Sequence, residues 1–350
     1  MEAGSRGLRW ISIREDRAID WTSATILVTG GTGSFGRRFI DLMLRDYQPR
    51  KIIIYSRDEW KQHEMRTAGY DHPNLRYFIG DVRDVDRLRR ATQGVDLVVH
   101  AAALKQVPAC EYNPIEAVKT NINGAMNIIE AALDSRVRRV LALSTDKATA
   151  PVNIYGATKL VAEKLFAQAN AYSRGEPHTL FSCVRYGNVL GSRGSVLPLF
   201  QQQRDTVGRL TLTDRQMTRF WMTLDDGVKF VAHAVEQMVG GEVFIPKLPA
   251  TRIVDLAKAI APDCPLDLIG LRPGEKLHES LISPDEALLT LDVGDGYVLL
   301  PNQPARSVQR WVDRGRKVPA GFHYTSETAE RRLPSAELLA PYMPEAPVYA

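Results

Sequence analysis

From Ala24 onward, short apolar, β-branched runs recur at nearly regular intervals along the chain. They lie at Ile26-Leu27-Val28, Ile52-Ile53-Ile54, Leu75-Arg76-Tyr77-Phe78-Ile79, Leu97-Val98-Val99 and Val140-Leu141-Ala142-Leu143. Helical spacing fills the intervals, first at Phe39, Leu42 and Met43 and later from Ala117 through Leu133. Strands alternating with helices in this way predict βαβ units and a parallel sheet covered on both faces. The near-continuous apolar character of each strand fits burial on two sides. A helix from about Tyr155 to Tyr172 and a strand around Thr179–Val184 continue the series.

The rhythm loosens after Gly187. Residues 187–220 carry Gly191, Gly194 and Pro198, and the stretch to Pro304 mixes short strands and turns with a helix near Ile253–Ile260. Pro262, Pro265, Pro273 and Pro284 punctuate it. A smaller carboxy-terminal region folded onto the open edge of the first domain is expected. Residues 1–22 read as an amino-terminal extension of low information.

Composition narrows the classes without choosing among them. Over 350 residues, 44% hydrophobic and 25% charged content are ordinary globular values. A net charge of +4 from 45 basic and 41 acidic residues argues against a dedicated nucleic-acid binder. Cys110, Cys183 and Cys264 are odd in number and far apart, so neither a disulfide framework nor a metal knuckle is offered. They fit buried thiols in a reducing, cytoplasmic setting. No apolar run approaches the roughly eighteen residues of a spanning helix, and no signal peptide is expected.

Candidate chemistry begins at the first strand, which runs straight into Thr29-Gly30-Gly31-Thr32-Gly33-Ser34-Phe35-Gly36 and then a helix. Gly30, Gly33 and Gly36 form a G-x-x-G-x-x-G array in the strand–turn–helix context of a Rossmann-type dinucleotide site. Such a site needs bare backbone N–H groups at a helix amino terminus close to a pyrophosphate. NAD-binding versions end the second strand with an acid for the ribose 2′-hydroxyl. This chain has Ser56 and Arg57 there, with Lys61 one helical turn on, a set suited to a 2′-phosphate; NADP is the expected cofactor. Asp58 is read as a possible cap of the next helix, and Asp81-Val82 as a contact for an adenine ring or a plain turn.

Ser144-Thr145-Asp146-Lys147 follows the fifth strand, and Tyr155 and Lys159 lie one helical turn apart on one face. A nearby ammonium and a positive cofactor ring favour the Tyr155 phenolate, which suits it to take a hydroxyl proton as hydride leaves the same carbon. An epimerase or simple dehydrogenase needs no more than a hydroxyl beside that tyrosine. Asp146 and Lys147 add an acid and a base, so a further proton transfer is expected. Oxidation of a sugar's C4 hydroxyl acidifies the C5 hydrogen; Lys147 would remove it while a protonated Asp146 donates to the departing C6 hydroxyl. The plain alternative is a surface Asp–Lys pair at a strand end. His100 and His278 are expected to be hydrogen-bonded structural histidines, with no metal site.

With these residues in view, the chain resembles the extended short-chain dehydrogenase/reductase family, and within it the inverting UDP-N-acetylglucosamine 4,6-dehydratases, from about Thr25 to Tyr342. The resemblance is carried by Ser56-Arg57-Asp58-Glu59, His100-Ala101-Ala102-Ala103-Leu104-Lys105-Gln106-Val107-Pro108 and Ser144-Thr145-Asp146-Lys147. Farther on, it is carried by the run from Arg185 to Ser195, by Met217-Thr218-Arg219-Phe220 and by the run from Arg272 to Glu279. It implies Asp146 as general acid, Lys147 as C5 base, Tyr155 with Lys159 as the base for C4 oxidation and Thr145 on the C4 oxygen. Lysine rather than glutamate at position 147 implies inversion at C5. Ala101, Ala102 and Ala103 are implied along the cofactor, together with Thr32, Ser34 and Phe35. Arg219, Arg272 and Asn188 are implied at the substrate diphosphate, Glu275 at its ribose, and Lys105 and Arg193 are further substrate candidates.

The expected organisation is thus an NADP-binding domain over 23–186, then a mostly substrate-binding region over 187–350 from which some segments return to the first domain. The expected activity is hydro-lyase action on UDP-N-acetylglucosamine, at the first step of pseudaminic acid-type sugar synthesis, by a homo-oligomer, either dimer or hexamer. A 5,6-dehydratase, a 4-epimerase and a non-catalytic NADP-binding sensor are the competing readings.

Overall fold

The computed structural model describes residues 19–173, 178–192, 195–302 and 306–330. Each apolar run forms a parallel strand: Thr25–Thr29 (β1), Lys51–Ser56 (β2), Leu75–Ile79 (β3), Leu97–His100 (β4), Arg139–Leu143 (β5) and Leu180–Val184 (β6). Their order across the sheet is β3-β2-β1-β4-β5-β6. β1 and β5 are buried along their whole length because helices cover both faces. The chain leaves β1 for β2 on one side and returns to β4 on the other, so a crevice opens beyond the carboxyl ends of β1 and β4.

The sheet does not stop at β6. Strand Val243–Pro246 adds to β6 in parallel, followed by the antiparallel strands Gly296–Leu299, Thr290–Asp292 and Arg316–Lys317. Between these returns, a second apolar cluster gathers Leu197, Phe200, Leu210, Leu212, Trp221 and Leu256 beneath two short sheets. Phe220, in the same strand as Trp221, packs instead into the main core.

The continuous helix expected from Ala117 to Leu133 is broken in the structure. Pro114–Val118 is α-helical, Lys119–Asn123 makes a π turn and Gly124–Asp134 resumes the α-helix. The π turn directs Asn121 inward, where its amide donates to Leu104 O at 2.9 Å and to Thr158 Oγ1 at 3.0 Å while its oxygen accepts from Leu104 N. Wide turns of this kind trade one regular bond for the aim of a side chain. Here Asn121 fastens the loop after β4 to the helix Ile154–Ala169.

The end of β6 carries a fully buried arginine. Arg185 bonds Glu163 through Nε at 3.0 Å and Nη2 at 2.6 Å, Glu286 through both Nη atoms at 2.9 and 3.0 Å, and Leu281 O at 2.9 Å. It therefore joins the nucleotide-side helix Ile154–Ala169 to the returning carboxy-terminal segments.

Among the described residues, no helix is long and apolar enough to cross a membrane, and no group of three or more His, Cys, Asp or Glu is arranged to hold a metal ion.

Candidate active site

The crevice beyond β1 and β4 is a cleft of about 640 Å³. Gly30 enters it at φ +67°, and a Cβ there would lie 3.0 Å from the N and Cα of Ala102. Only glycine combines that backbone with that approach. Gly33 is the N-cap of helix Ser34–Leu42 and contributes no side-chain cap, so no side chain of its own covers the helix's amino end. Gly36 packs the helix onto the turn, since a Cβ there would meet the backbone of Gly31. Bare amides at an open helix amino terminus form a cradle that fits a pyrophosphate. Every residue expected along a dinucleotide, namely Gly30, Thr32, Gly33, Ser34, Phe35 and Gly36, then Ser56, Arg57, Lys61, Asp81, Val82, Ala101, Ala102, Ala103, Tyr155 and Lys159, lines this one cleft.

At the far end of the cradle the charges are partly committed. Asp58 caps helix Glu59–Thr67 by accepting from Lys61 N, and its other oxygen lies 2.7 Å from Lys61 Nζ. The Ser56 hydroxyl accepts from Gln62 Nε2 at 3.0 Å. Arg57 is more than half exposed and touches Asp81 at only 3.8 Å, so its guanidinium is the loosest cation at this end. Asp81 makes the turn itself, accepting from the amide and guanidinium of Arg83.

The second constellation stands where β5 ends. Residues Asp146–Ala148 form a single 3₁₀ turn capped by Thr145, and the helix Ile154–Ala169 begins directly against it. Gly156 makes that contact possible, because any Cβ there would run into the Lys147 carbonyl oxygen. Asn153 caps the helix by accepting from Gly156 N at 2.7 Å and holds Gly274 O through its amide at 2.8 Å. Thr145, Asp146, Lys147, Tyr155 and Lys159 are thereby brought to the same wall of the cleft, with Ser144 beside them.

Asp146 is 1% exposed. Its Oδ1 accepts from Thr145 Oγ1 at 2.9 Å and Lys147 Nζ at 3.1 Å, while Oδ2 is buried with no partner among the described residues. Burial pushes the Asp146 carboxyl above the usual range, against the pull of Lys147. Lys147 shows the opposite balance. Burial alone would lower it, but Asp146 and Glu279 together hold it above the ordinary lysine range. Tyr155 is pushed up to about 12 by burial, with Lys147 and the Thr145 hydroxyl acting the other way. Burial lowers Lys159. In the protein by itself, burial thus opposes ionisation of Tyr155 more strongly than Lys147 and Thr145 favour it.

Substrate candidates are more scattered. Lys105 and Asn188 line the cleft. Arg219 is buried and spends its guanidinium on the carbonyls of Thr218, Lys276 and Leu277, with Nε 3.7 Å from Glu279. Arg272 and Glu275 lie in the loop that docks on Asn153, outside the cleft wall, and Glu275 accepts from the Arg272 amide at 3.2 Å. Arg193 falls outside the described residues. His100 is buried, pairs through Nδ1 with Thr29 Oγ1 at 2.8 Å and is lowered to about 3 by burial, as befits a packed neutral ring. His278 pairs with Thr218 Oγ1.

Sequence reasoning passed over Glu279. Its Oε1 lies 3.0 Å from Lys147 Nζ, yet along the chain it is only the last residue of a charged run before an apolar strand. The signals were its place at the end of the Arg272–Glu279 run and against Ser280–Ile282, and neither says what it faces.

The model of the polysaccharide biosynthesis protein family matches residues 26–301. A Campylobacter jejuni protein named UDP-N-acetylglucosamine 4,6-dehydratase (inverting) is 50% identical over 321 residues, covering 90% of this chain and 96% of that protein. A Rickettsia canadensis protein named UDP-glucose 4-epimerase is 43% identical, covering 88% and 92% respectively. Among solved structures, Pen from Bacillus thuringiensis is 37% identical with a TM-score of 0.82, over 91% of this chain and 96% of its own.

Proposed function

The chain belongs to the polysaccharide biosynthesis protein family, and from that premise we propose that it is an inverting UDP-N-acetylglucosamine 4,6-dehydratase that works with NADP. The observation that carries the reading is the Asp146–Lys147 pair, its acid buried and its amine a quarter exposed, beside Tyr155 at the wall of a dinucleotide-shaped cleft. The name borne by the Campylobacter jejuni relative supports the same substrate and outcome. A 4-epimerase, the name borne by the Rickettsia canadensis relative, would use Tyr155 and Thr145 and leave the acid–base pair idle.

A nicotinamide dinucleotide bound along the cleft would supply a hydride acceptor for C4, a hydride donor for C6 and a positive charge near Tyr155. Tyr155 then takes the C4 hydroxyl proton, with Lys159 one helical turn away and Thr145 donating to the C4 oxygen. The resulting ketone acidifies C5–H. Lys147, as the free amine, takes that proton, and Asp146, kept protonated by burial, gives its own to the C6 hydroxyl as water leaves. Return of a proton to C5 on the face opposite the one from which Lys147 removed it sets the inverted configuration. The product is UDP-2-acetamido-2,6-dideoxy-β-L-arabino-hexos-4-ulose, which places the step at the entry to pseudaminic acid-type sugar synthesis.

Incubation with UDP-N-acetylglucosamine in heavy water, followed by proton NMR, tests this. A new C6 methyl, a C4 ketone, deuterium at C5 and L-configured couplings are expected. A C4 epimer, an exocyclic alkene, a D-configured product or no turnover with NADP bound would each sink it.

NADP over NAD rests on Arg57, the least committed cation at the end of the cradle. Arg57→Ala is expected to weaken NADP by about 10- to 100-fold, the worth of one charge-assisted hydrogen bond, and to leave NAD nearly unchanged. Titration calorimetry with both cofactors reads this; an equal loss for the two would remove Arg57 from the 2′-phosphate.

A further inference from the structure

Lys147 is gripped from two sides. Its Nζ donates to Asp146 Oδ1 at 3.1 Å on its own turn and pairs at 3.0 Å with Glu279 Oε1, which belongs to the carboxy-terminal region. Glu279 is 2% exposed, and Ser326 holds its backbone twice. The Glu279 amide donates to Ser326 Oγ at 3.0 Å, and the Ser326 amide donates to Glu279 O at 2.8 Å. The second carboxylate oxygen, Oε2, is buried with no partner among the described residues, as is Oδ2 of Asp146. Each acid thus commits one oxygen to the ammonium and leaves the other bare. An ion in this position is a poor device for stability, because an apolar side chain of like size would serve as well at less desolvation cost.

We propose that Glu279 is a positioning residue for C5 deprotonation: it anchors the Lys147 amino group from the carboxy-terminal region, setting where Nζ points and how firmly it keeps its proton. The inference rests on the reading of Lys147 as the C5 base. The groups facing Lys147 are Asp146 on its own turn, Tyr155 on the following helix, Lys105 after β4, Arg219 on strand Thr218–Met222, and Lys276 and Glu279 before strand Ser280–Ile282. Asp146 and Glu279 are the two acids of that set, and Asp146 is itself biased by burial towards its neutral form. Glu279 therefore adds a second carboxylate to Asp146 in holding Lys147 as an ammonium, and it is the one that reaches Nζ from another segment of the chain; deprotonation at C5 begins once that hold is overcome. Arg219 stays in place without Glu279, because three backbone carbonyls hold its guanidinium.

The test compares wild type with Glu279→Gln, which keeps shape and removes charge. Lys147 is a quarter exposed at the open cleft, so acetic anhydride reaches it. The extent of acetylation of the Lys147 peptide is followed by mass spectrometry across an alkaline pH series, without cofactor or substrate. Loss of the adjacent carboxylate is expected to bring labelling on at a pH lower by roughly one to three units, and so to raise it about tenfold or more at a fixed pH below the wild-type onset. The alkaline limb of C5 deuterium exchange should move the same way. Coincident labelling curves for the two folded proteins would overturn the inference. A labelling shift in a protein that never turns over UDP-N-acetylglucosamine would uphold the Lys147–Glu279 contact and sink the substrate reading instead. Glu279→Asp withdraws the charge by one methylene and is expected to fall between the two, which keeps the comparison decisive should the glutamine variant not fold.

Discussion

Lys147→Met is expected to slow C5 deuterium exchange and methyl formation by about 10²- to 10⁴-fold, the usual worth of a positioned general base. Oxidation at C4 should survive, since Tyr155, Thr145 and Lys159 are untouched. Single turnover should then leave a 4-keto sugar that keeps its C6 hydroxyl, with the cofactor stalled in its reduced form. The contacts around Lys147 add a second signature. Without the ammonium, Glu279 is a buried acid facing the Asp146 carboxyl, with Arg219 Nε at 3.7 Å as the cation that remains beside it. A buried charge that has lost its ion pair is costly, so the variant loses stability at neutral pH. Proton NMR of the quenched reaction, together with a melting curve, checks both parts. Unchanged C5 exchange would remove Lys147 from the base role.

The largest effect on stability is expected at a residue with no part in the chemistry. Arg185 is wholly buried between Glu163 and Glu286, and Arg185→Met should cost about 3–5 kcal/mol, the usual penalty for stripping one partner from a buried ion cluster. Most of that falls on Glu163, because Glu286 keeps its bonds to the amide and hydroxyl of Ser283. In the variant, Glu163 is a buried acid that keeps only the weaker attraction of Lys159, one helical turn back, so its charged form is costly and protonation relieves it. The penalty is then greatest at neutral pH and shrinks as pH falls. Urea unfolding of both proteins near neutrality and near pH 5 reads this; a difference below about 1 kcal/mol that ignores pH would mean the cluster relaxes into water.

Part of the site was legible along the chain because its residues are neighbours there. Gly30, Gly33 and Gly36 occupy consecutive positions of one turn, and Asp146 and Lys147 sit on a single 3₁₀ turn. Tyr155 and Lys159 share a face because 3.6 residues make a turn. Charge type alone left the partners of each charge unread. Lys61 looked free for a phosphate, yet Asp58, three residues earlier, holds it. Arg219 looked like a diphosphate ligand, yet in the structure its fork is closed by carbonyls from two segments. A guanidinium in a sequence carries no record of which acceptors the fold will bring to it.

The unbroken apolar pattern from Ala117 to Leu133 likewise concealed the π turn, because a wider turn changes hydrogen-bond partners without changing residue polarity. Fold class and the dinucleotide turn after the first strand both follow from local periodicity and glycine placement. Those were determined by the sequence alone, since each depends on residues within one βα unit. The burial that raises Asp146 and Tyr155, the grip of Glu279 on Lys147 and the Arg185 cluster were decided only in three dimensions. Solvent exclusion and charge proximity arise when distant segments pack, and the carboxy-terminal returns to the sheet are what bring those segments against β5 and β6.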